Sequence, residues 1–330
     1  MSTPSQCKRM IRSCIELQIP FFMTGPVGAG KSQSAFQVTE ALKIDFTDVR
    51  LSQMDPTDIK GFPSPDAAKN LMRWLPADFL PRKGKGLLFL DELNSAPPSV
   101  QAAAYQLVLD RRVGSYTLPP GWVVGAAGNR DIDRAIVNKV SSALNNRFLH
   151  IEFEVDLGDF VAHAAKNGVS VSTIAFLRFK SDLLHSFDAT QNPKAFPTPR
   201  SWFTADKIVR AKLPSADEHS MLVGAIGNGA AIEYTAFMRV IKDLPSVDEI
   251  ALAPDTTKVP DSPATLFALT TSLSMATKTK TNFGRFLQYV ERMEKEWQVV
   301  YIRDCLKTFN EIKLDSNFTK WCIANKDIVL

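Results

Sequence analysis

Gly25-Pro26-Val27-Gly28-Ala29-Gly30-Lys31-Ser32 fits a phosphate-cradle pattern: glycine, four residues, then Gly-Lys-Ser. Its context gives the pattern physical meaning. Ile19-Pro20-Phe21-Phe22-Met23, just ahead, is a short apolar run that predicts a buried strand. Gln33 to Leu42, just behind, predicts a helix with Ala35, Val38 and Leu42 on one face. Strand, glycine loop and helix start aim a fan of backbone N–H groups at one spot, reinforced by the helix dipole. Glycine lets the backbone approach phosphate oxygens where a Cβ would clash. The candidate contact set is Gly25, Pro26, Val27, Gly28, Ala29, Gly30, Lys31, Ser32 and Gln33. Within it, Lys31 is expected to reach the β- and γ-phosphates and the Ser32 hydroxyl to bind Mg²⁺. The pattern implies nucleotide binding.

About sixty residues further on, Gly86-Leu87-Leu88-Phe89-Leu90-Asp91-Glu92 is an apolar run ending in two carboxylates. A central parallel strand reads this way where its C-terminal end enters a site. Asp91 is expected to hold Mg²⁺ and its water shell, and Glu92 to polarise the water that attacks the γ-phosphate. Trp122-Val123-Val124-Gly125-Ala126-Ala127 predicts another apolar strand, tipped by Gly128-Asn129. An amide there can orient the attacking water or contact the γ-phosphate. A helix predicted over Ala135–Leu144 leads to Asn145-Asn146-Arg147-Phe148 and a strand, Leu149-His150-Ile151-Glu152-Phe153, so Arg147 is expected to be exposed. In Phe196-Pro197-Thr198-Pro199-Arg200-Ser201-Trp202, two prolines fix the chain ahead of a helix and Arg200 sits at its start.

The 330 residues allow two domains, and 45% hydrophobic content supports full-sized cores. A net charge of +4 without a dense Lys/Arg run permits nucleic acid without arguing for it. Cys7, Cys14, Cys305 and Cys322 form no C-x-x-C pair and read as reduced thiols packed as small apolar residues. No stretch approaches a membrane span and no signal pattern opens the chain, which fits a soluble, cytoplasmic protein.

Asp48-Val49-Arg50-Leu51 predicts a second strand. Between Asp55 and Lys85, five prolines (Pro56, Pro63, Pro65, Pro76, Pro81) predict an ordered insertion of loops and one short helix. Ser99 to Arg111 predicts a helix, and Val113 to Val123 a hairpin turning at Leu118-Pro119-Pro120-Gly121. Beyond residue 155 strand character fades: Phe160–Ala165, Ser172–Ser186, Trp202–Val209 and Glu218–Leu244 read as helices. Ala251 to Pro263 reads as a linker, and Ser262-Pro263 caps a last helical part. There Phe283, Phe286, Leu287, Val290 and Met293 share a face that predicts intramolecular core.

The order of these parts resembles an AAA+ ATPase, and within that superfamily the MoxR-like branch. The resemblance is closest in Asp91-Glu92-Leu93-Asn94-Ser95-Ala96-Pro97-Pro98-Ser99-Val100-Gln101 and the hairpin that follows. It implies an α/β P-loop NTPase fold, a parallel five-stranded sheet core followed by an all-α lid and a helical C-terminal region. The domains expected are 1–155 for the nucleotide-binding part, 156–250 for the lid and 251–330 for the helical extension. It further implies ATP with Mg²⁺, Lys31 and Ser32 on phosphate and metal, Asp91 on metal and Glu92 in catalysis. Asn129 matches the sensor-1 position, Arg200 the sensor-2 position, and Arg147 the arginine finger that acts on a neighbouring subunit's nucleotide. Gly61 to Trp74 match the helix-2 insert and Val113 to Gly121 the pre-sensor hairpin, both facing the pore or the partner. Ser95 departs from the family, whose members usually carry Arg there. The expected function is hydrolysis in a homo-oligomeric, hexameric ring that remodels a protein client, chaperone-like, with a von Willebrand-type adaptor. The alternatives are a nucleic-acid motor of the McrB-like kind, using Lys60, Lys69, Arg73, Lys83 and Lys85, and a nucleotide-controlled switch.

Overall fold

The computed structural model describes residues 1–330 except 67, 134–137, 139, 192 and 330. Five strands form its main sheet: β1 Phe21–Gly25, β2 Asp45–Arg50, β3 Gly86–Asp91, β4 Trp122–Asn129 and β5 Leu149–Glu152. Their order is β2-β3-β4-β1-β5, and every pairing is parallel. Parallel strands need covered faces, and the sequence supplies them. Phe22, Leu88, Leu90, Val124 and Ala126 point to one side and pack with Val100, Ala103, Ala104 and Leu107 of helix Pro98–Asp110. Phe21, Met23, Leu87, Phe89, Val123 and Ala127 point to the other, against helices Pro4–Glu16 and Lys31–Leu42. The continuous apolar runs of β1, β3 and β4 are thus alternation into two cores. At the β5 edge, Ser2 lies beside Phe153 in a parallel bridge, donating to Glu152 O at 2.7 Å and accepting from Glu154 N at 3.0 Å.

Two compact units divide the chain. Residues 1–159, 187–193 and 198–200 belong to the first, and the remainder to the second. The second unit is helical. In it Phe176 packs among Trp202, Tyr234 and Phe237 with ring centroids 5.0–5.4 Å apart. Phe283, Phe286, Leu287, Val290 and Met293 are buried with Tyr301 and Trp321, as their spacing predicts. Ser262 caps helix Pro263–Ala276, its hydroxyl accepting from Thr265 N. The four cysteines are free, and three of them are buried.

Several elements differ from expectation. The second strand spans Asp45–Arg50, and Leu51 already turns into a 3-10 helix. The insertion contains the short helix Pro56–Lys60 and also a two-stranded hairpin, Phe62–Asp66 with Leu71–Leu75, registered Phe62 to Leu75 and Pro65 to Met72. Phe62, Leu71, Met72 and Leu75 are at least half exposed on it. The next hairpin pairs Arg112–Val113 with Tyr116–Thr117, so the chain turns at Gly114-Ser115 while Leu118 to Gly121 only connects to β4. The Ser172–Ser186 helix ends at Phe179 and gives way to a 3-10 turn over Ser181–Leu184. The Glu218–Leu244 helix is two, Ser215–Ile226 and Asn228–Val240, broken at Gly227. Gly227 has φ +79°, and a Cβ there would meet Ala195 O at 2.8 Å, so only glycine fits. The linker begins later than Ala251, because Ser246 caps a further helix over Val247–Leu252. The helix expected over Ala135–Leu144 lies partly outside the described residues; the described helix is Ser142–Asn145.

Candidate functional site

Strand β1 ends at Gly25, and the loop runs to Gly30, which precedes helix Lys31–Leu42 with φ +96° and no side-chain cap. The helix's first N–H groups are therefore left for a ligand. Lys31 is 9% exposed, yet no carboxylate pairs with it among the described residues. Its ammonium donates to Gly25 O and Pro26 O, each at 2.9 Å, and to Asn129 Oδ1 at 3.3 Å. Burial brings the Lys31 pKa down from the ordinary 10.5 to about 8; Asp91 and Asp133 pull it up, Arg130 and Arg200 push it down. The Ser32 hydroxyl donates to Asp91 Oδ2 at 2.6 Å. Register explains the convergence. Gly25 stands beside Asn129, and β4 lies between β1 and β3, so loop, amide tip and acidic tip share one end of the sheet.

Glu92 turns away from that cluster. It leaves the strand with φ +57°, and its carboxylate accepts a hydrogen bond from the Ser52 hydroxyl, just beyond β2. Its backbone N–H donates to Asp91 Oδ1 at 2.9 Å. Arg200 is exposed in the first turn of helix Pro199–Arg210, near enough for its charge to act on Lys31. Arg147 is exposed as expected, but it lies at the other end of the sheet. Leu149, two residues on, pairs with Phe21, and Phe21 is four strand residues from Gly25, ~13 Å. Arg147 therefore cannot serve the loop of its own chain.

Four further residues shape the site, and the sequence reading passed over each as a site residue. Ser52 holds Glu92. Asn94 is buried and brackets Asn129 like a paired strand, donating to its O at 2.7 Å and accepting from its N at 3.2 Å. Thr198 is buried and packs on the loop so closely that a Cβ at Gly28 (φ +71°) would lie 2.9 Å from it. Arg130 follows Asn129 and is paired with Asp133. Only Arg130 left a signal, a cation directly after the polar strand tip; the other three are fixed by tertiary register.

The fit to a nucleotide rests on this donor set. An uncapped helix start, a buried ammonium satisfied by neutral acceptors, and a hydroxyl–carboxylate pair match a triphosphate and a cation that takes one protein hydroxyl and water beside it. A divalent ion held here would draw on Ser32 and, through water, Asp91. No group of three or more His, Cys, Asp or Glu suited to holding a metal occurs among the described residues. No described helix is long and apolar enough to cross a membrane.

Residues 20–167 match the family of AAA domains, dynein-related subfamily. No curated protein sequence matches the chain. Similar solved structures include NtrX from Brucella abortus in complex with ADP, at 15% identity and TM-score 0.43 over 92% of this chain and 67% of that one. Another is the RuvB Holliday junction branch migration motor of Thermotoga maritima, at 16% identity and TM-score 0.38 over 76% and 74%. That family match is confined to residues 20–167, which hold the five-stranded parallel sheet and the intact phosphate loop of the AAA+ P-loop NTPase fold, and the chain is an ATP hydrolase.

Proposed function

We propose that this protein is a Mg²⁺-dependent, MoxR-like AAA+ ATPase that works as a ring, with six subunits as the family implies, and remodels a protein client. The observation that carries the ring is the placement of Arg147: exposed, and a strand length from its own loop, it is useful only to a neighbour's nucleotide. Within one subunit, Lys31 binds the β- and γ-phosphates while Ser32 and Asp91 hold the ion. Asn129 contacts the γ-phosphate, and Arg200 adds charge from the lid, taken as residues 156–250. Glu92 activates water once it leaves Ser52, so the Ser52 contact describes a resting arrangement. Protein is favoured over nucleic acid as client by the insertion hairpin. Lys60, Lys69, Arg73, Lys83 and Lys85 are exposed, but the same region presents Phe62, Leu71, Met72 and Leu75, which suit apolar contact better than phosphate. A von Willebrand-type adaptor is the partner the resemblance suggests. A nucleotide-controlled switch is the second reading, supported by the withdrawn Glu92.

The test is hydrolysis against protein concentration for wild type, Glu92→Gln, Arg147→Ala and the two variants mixed. Arginine fingers contribute about 10³–10⁵ in rate, so each variant alone should be nearly inactive. Specific activity of the wild type should rise with concentration, and the mixture should regain turnover. Activity independent of concentration and indifferent to Arg147→Ala would sink the ring and leave the switch.

A further inference from the structure

We infer that Asn94 is a positioning residue: it fixes Asn129 so that the Asn129 carboxamide tells a nucleotide with a terminal phosphate from one without it. This rests on the proposed reading of Asn129 as a γ-phosphate contact. The need for such a residue comes from the sheet. Strands β3 and β4 are in register only as far as Leu90 beside Ala126, whereas β4 continues to Asn129. Beyond Asp91 the chain leaves the sheet through Glu92, at φ +57°, into a 3-10 turn over Leu93–Ser95. The tip of β4 thus outruns its neighbour on that side.

The Asn94 side chain takes the missing neighbour's place. A carboxamide offers a donor and an acceptor, as a peptide unit does. Its Nδ2 donates to Asn129 O at 2.7 Å and its Oδ1 accepts from Asn129 N at 3.2 Å, so one side chain engages both backbone groups of the strand tip. Gly128 makes room for it, since a Cβ there would overlap Asn94 Oδ1. The turn that carries Asn94 is itself pinned. Asn94 O accepts from Asn138 N at 2.6 Å, and Ala96 O accepts from Gln101 Nε2 at 3.1 Å and from Asn138 Nδ2 at 2.9 Å. Asn94 is buried, so water competes little for these bonds. Held from this side, Asn129 presents its Oδ1 to the Lys31 ammonium, 3.3 Å away, beside the phosphate loop. Among the described residues the Asn94 side chain bonds only Asn129, so it acts through Asn129 and not on the nucleotide.

The experiment is equilibrium binding of the non-hydrolysable β,γ-imido triphosphate and of ADP, at fixed Mg²⁺, by the full chain. The variants are Asn94→Ala, Asn129→Ala and the two combined. Asn94→Ala should weaken the triphosphate about five- to tenfold and leave ADP within about twofold, because the lost bonds orient a contact that ADP lacks. In the Asn129→Ala background the same change should leave the triphosphate-to-ADP affinity ratio within about twofold, since no amide is left to aim. A residue that only stabilised the fold would not show that dependence. Gly128→Ala displaces the carboxamide while Asn94 keeps its backbone bond to Asn138, and it should reproduce the selective loss even where Asn94→Ala folds poorly. Equal weakening of both nucleotides, no change in either, or a further loss of the ratio in the Asn129→Ala background overturns the inference. Asn129→Ala with the wild-type ratio overturns instead the reading of Asn129 as a γ-phosphate contact, and wild type that binds neither nucleotide overturns the loop reading itself.

Discussion

Each unit of this chain holds a cation largely out of water, and the two are treated in opposite ways. In the helical unit Arg178 meets Asp304 directly and also donates to Thr271 Oγ1 at 3.2 Å, closing the charge inside the core. In the α/β unit Lys31 is buried, yet two carbonyls and an amide oxygen hold it and no carboxylate among the described residues touches it. The first arrangement satisfies the charge and ties helix Val171–Phe179 to helix Lys295–Thr308. The second leaves it in debt, to be settled by an anion from outside. A buried cation with neutral partners keeps its charge uncompensated, whereas one with an ionic partner is already balanced.

The largest effect that sharpens this contrast is Lys31→Met. Nucleotide affinity should fall about a hundredfold or more, since charge-assisted bonds to phosphate are lost, while the thermal midpoint of the nucleotide-free protein holds or rises. A drop in that midpoint would break the contrast. Asp304→Ala should do the reverse. Stranding Arg178 should lower stability by about 3–5 kcal/mol in denaturant unfolding, with the affinity of the remaining folded protein unchanged. The smallest effect is in pH. The folded Lys31 pKa of about 8 lies below its ordinary 10.5, so the unfolded chain binds more protons between those values. The nucleotide-free protein should therefore gain stability as pH rises through that window, and Lys31→Met should lack the gain. Phosphate favours the charged amine, so affinity should fall above pH 8, by at most about tenfold per unit. Calorimetry in two buffers of different ionisation enthalpy should show proton uptake on binding.

The phosphate-loop end of the sheet was open to sequence reading because backbone chemistry writes it. A glycine loop, an apolar strand ending in acid and a strand ending in amide each have local signatures, and the parallel sheet brings them together. The insertion hairpin was hidden by its own composition. Prolines at 63 and 65 and apolar residues that face solvent carry neither the alternation nor the turn chemistry that marks a strand pair. Pro119-Pro120-Gly121 looks like the stronger turn, but Gly114-Ser115 is the one that closes, its Ser115 hydroxyl donating to Trp74 O at 2.5 Å. The Gly227 break needs a carbonyl thirty residues away to explain it, and the Ser52 contact with Glu92 needs two strands in register. Such facts belong to the folded chain.

Those same prolines have a colloidal consequence. The hairpin gathers four of the exposed large apolar side chains described in the α/β unit, and a bare apolar strand edge invites another copy to zip onto it. Pro63 and Pro65 have no N–H to offer, and they sit on one of the hairpin's two strands. Ser115 occupies a carbonyl on the other. The hairpin can thus present greasy side chains while its backbone stays a poor template, an insulated contact that lets a sticky surface remain in solution at high concentration.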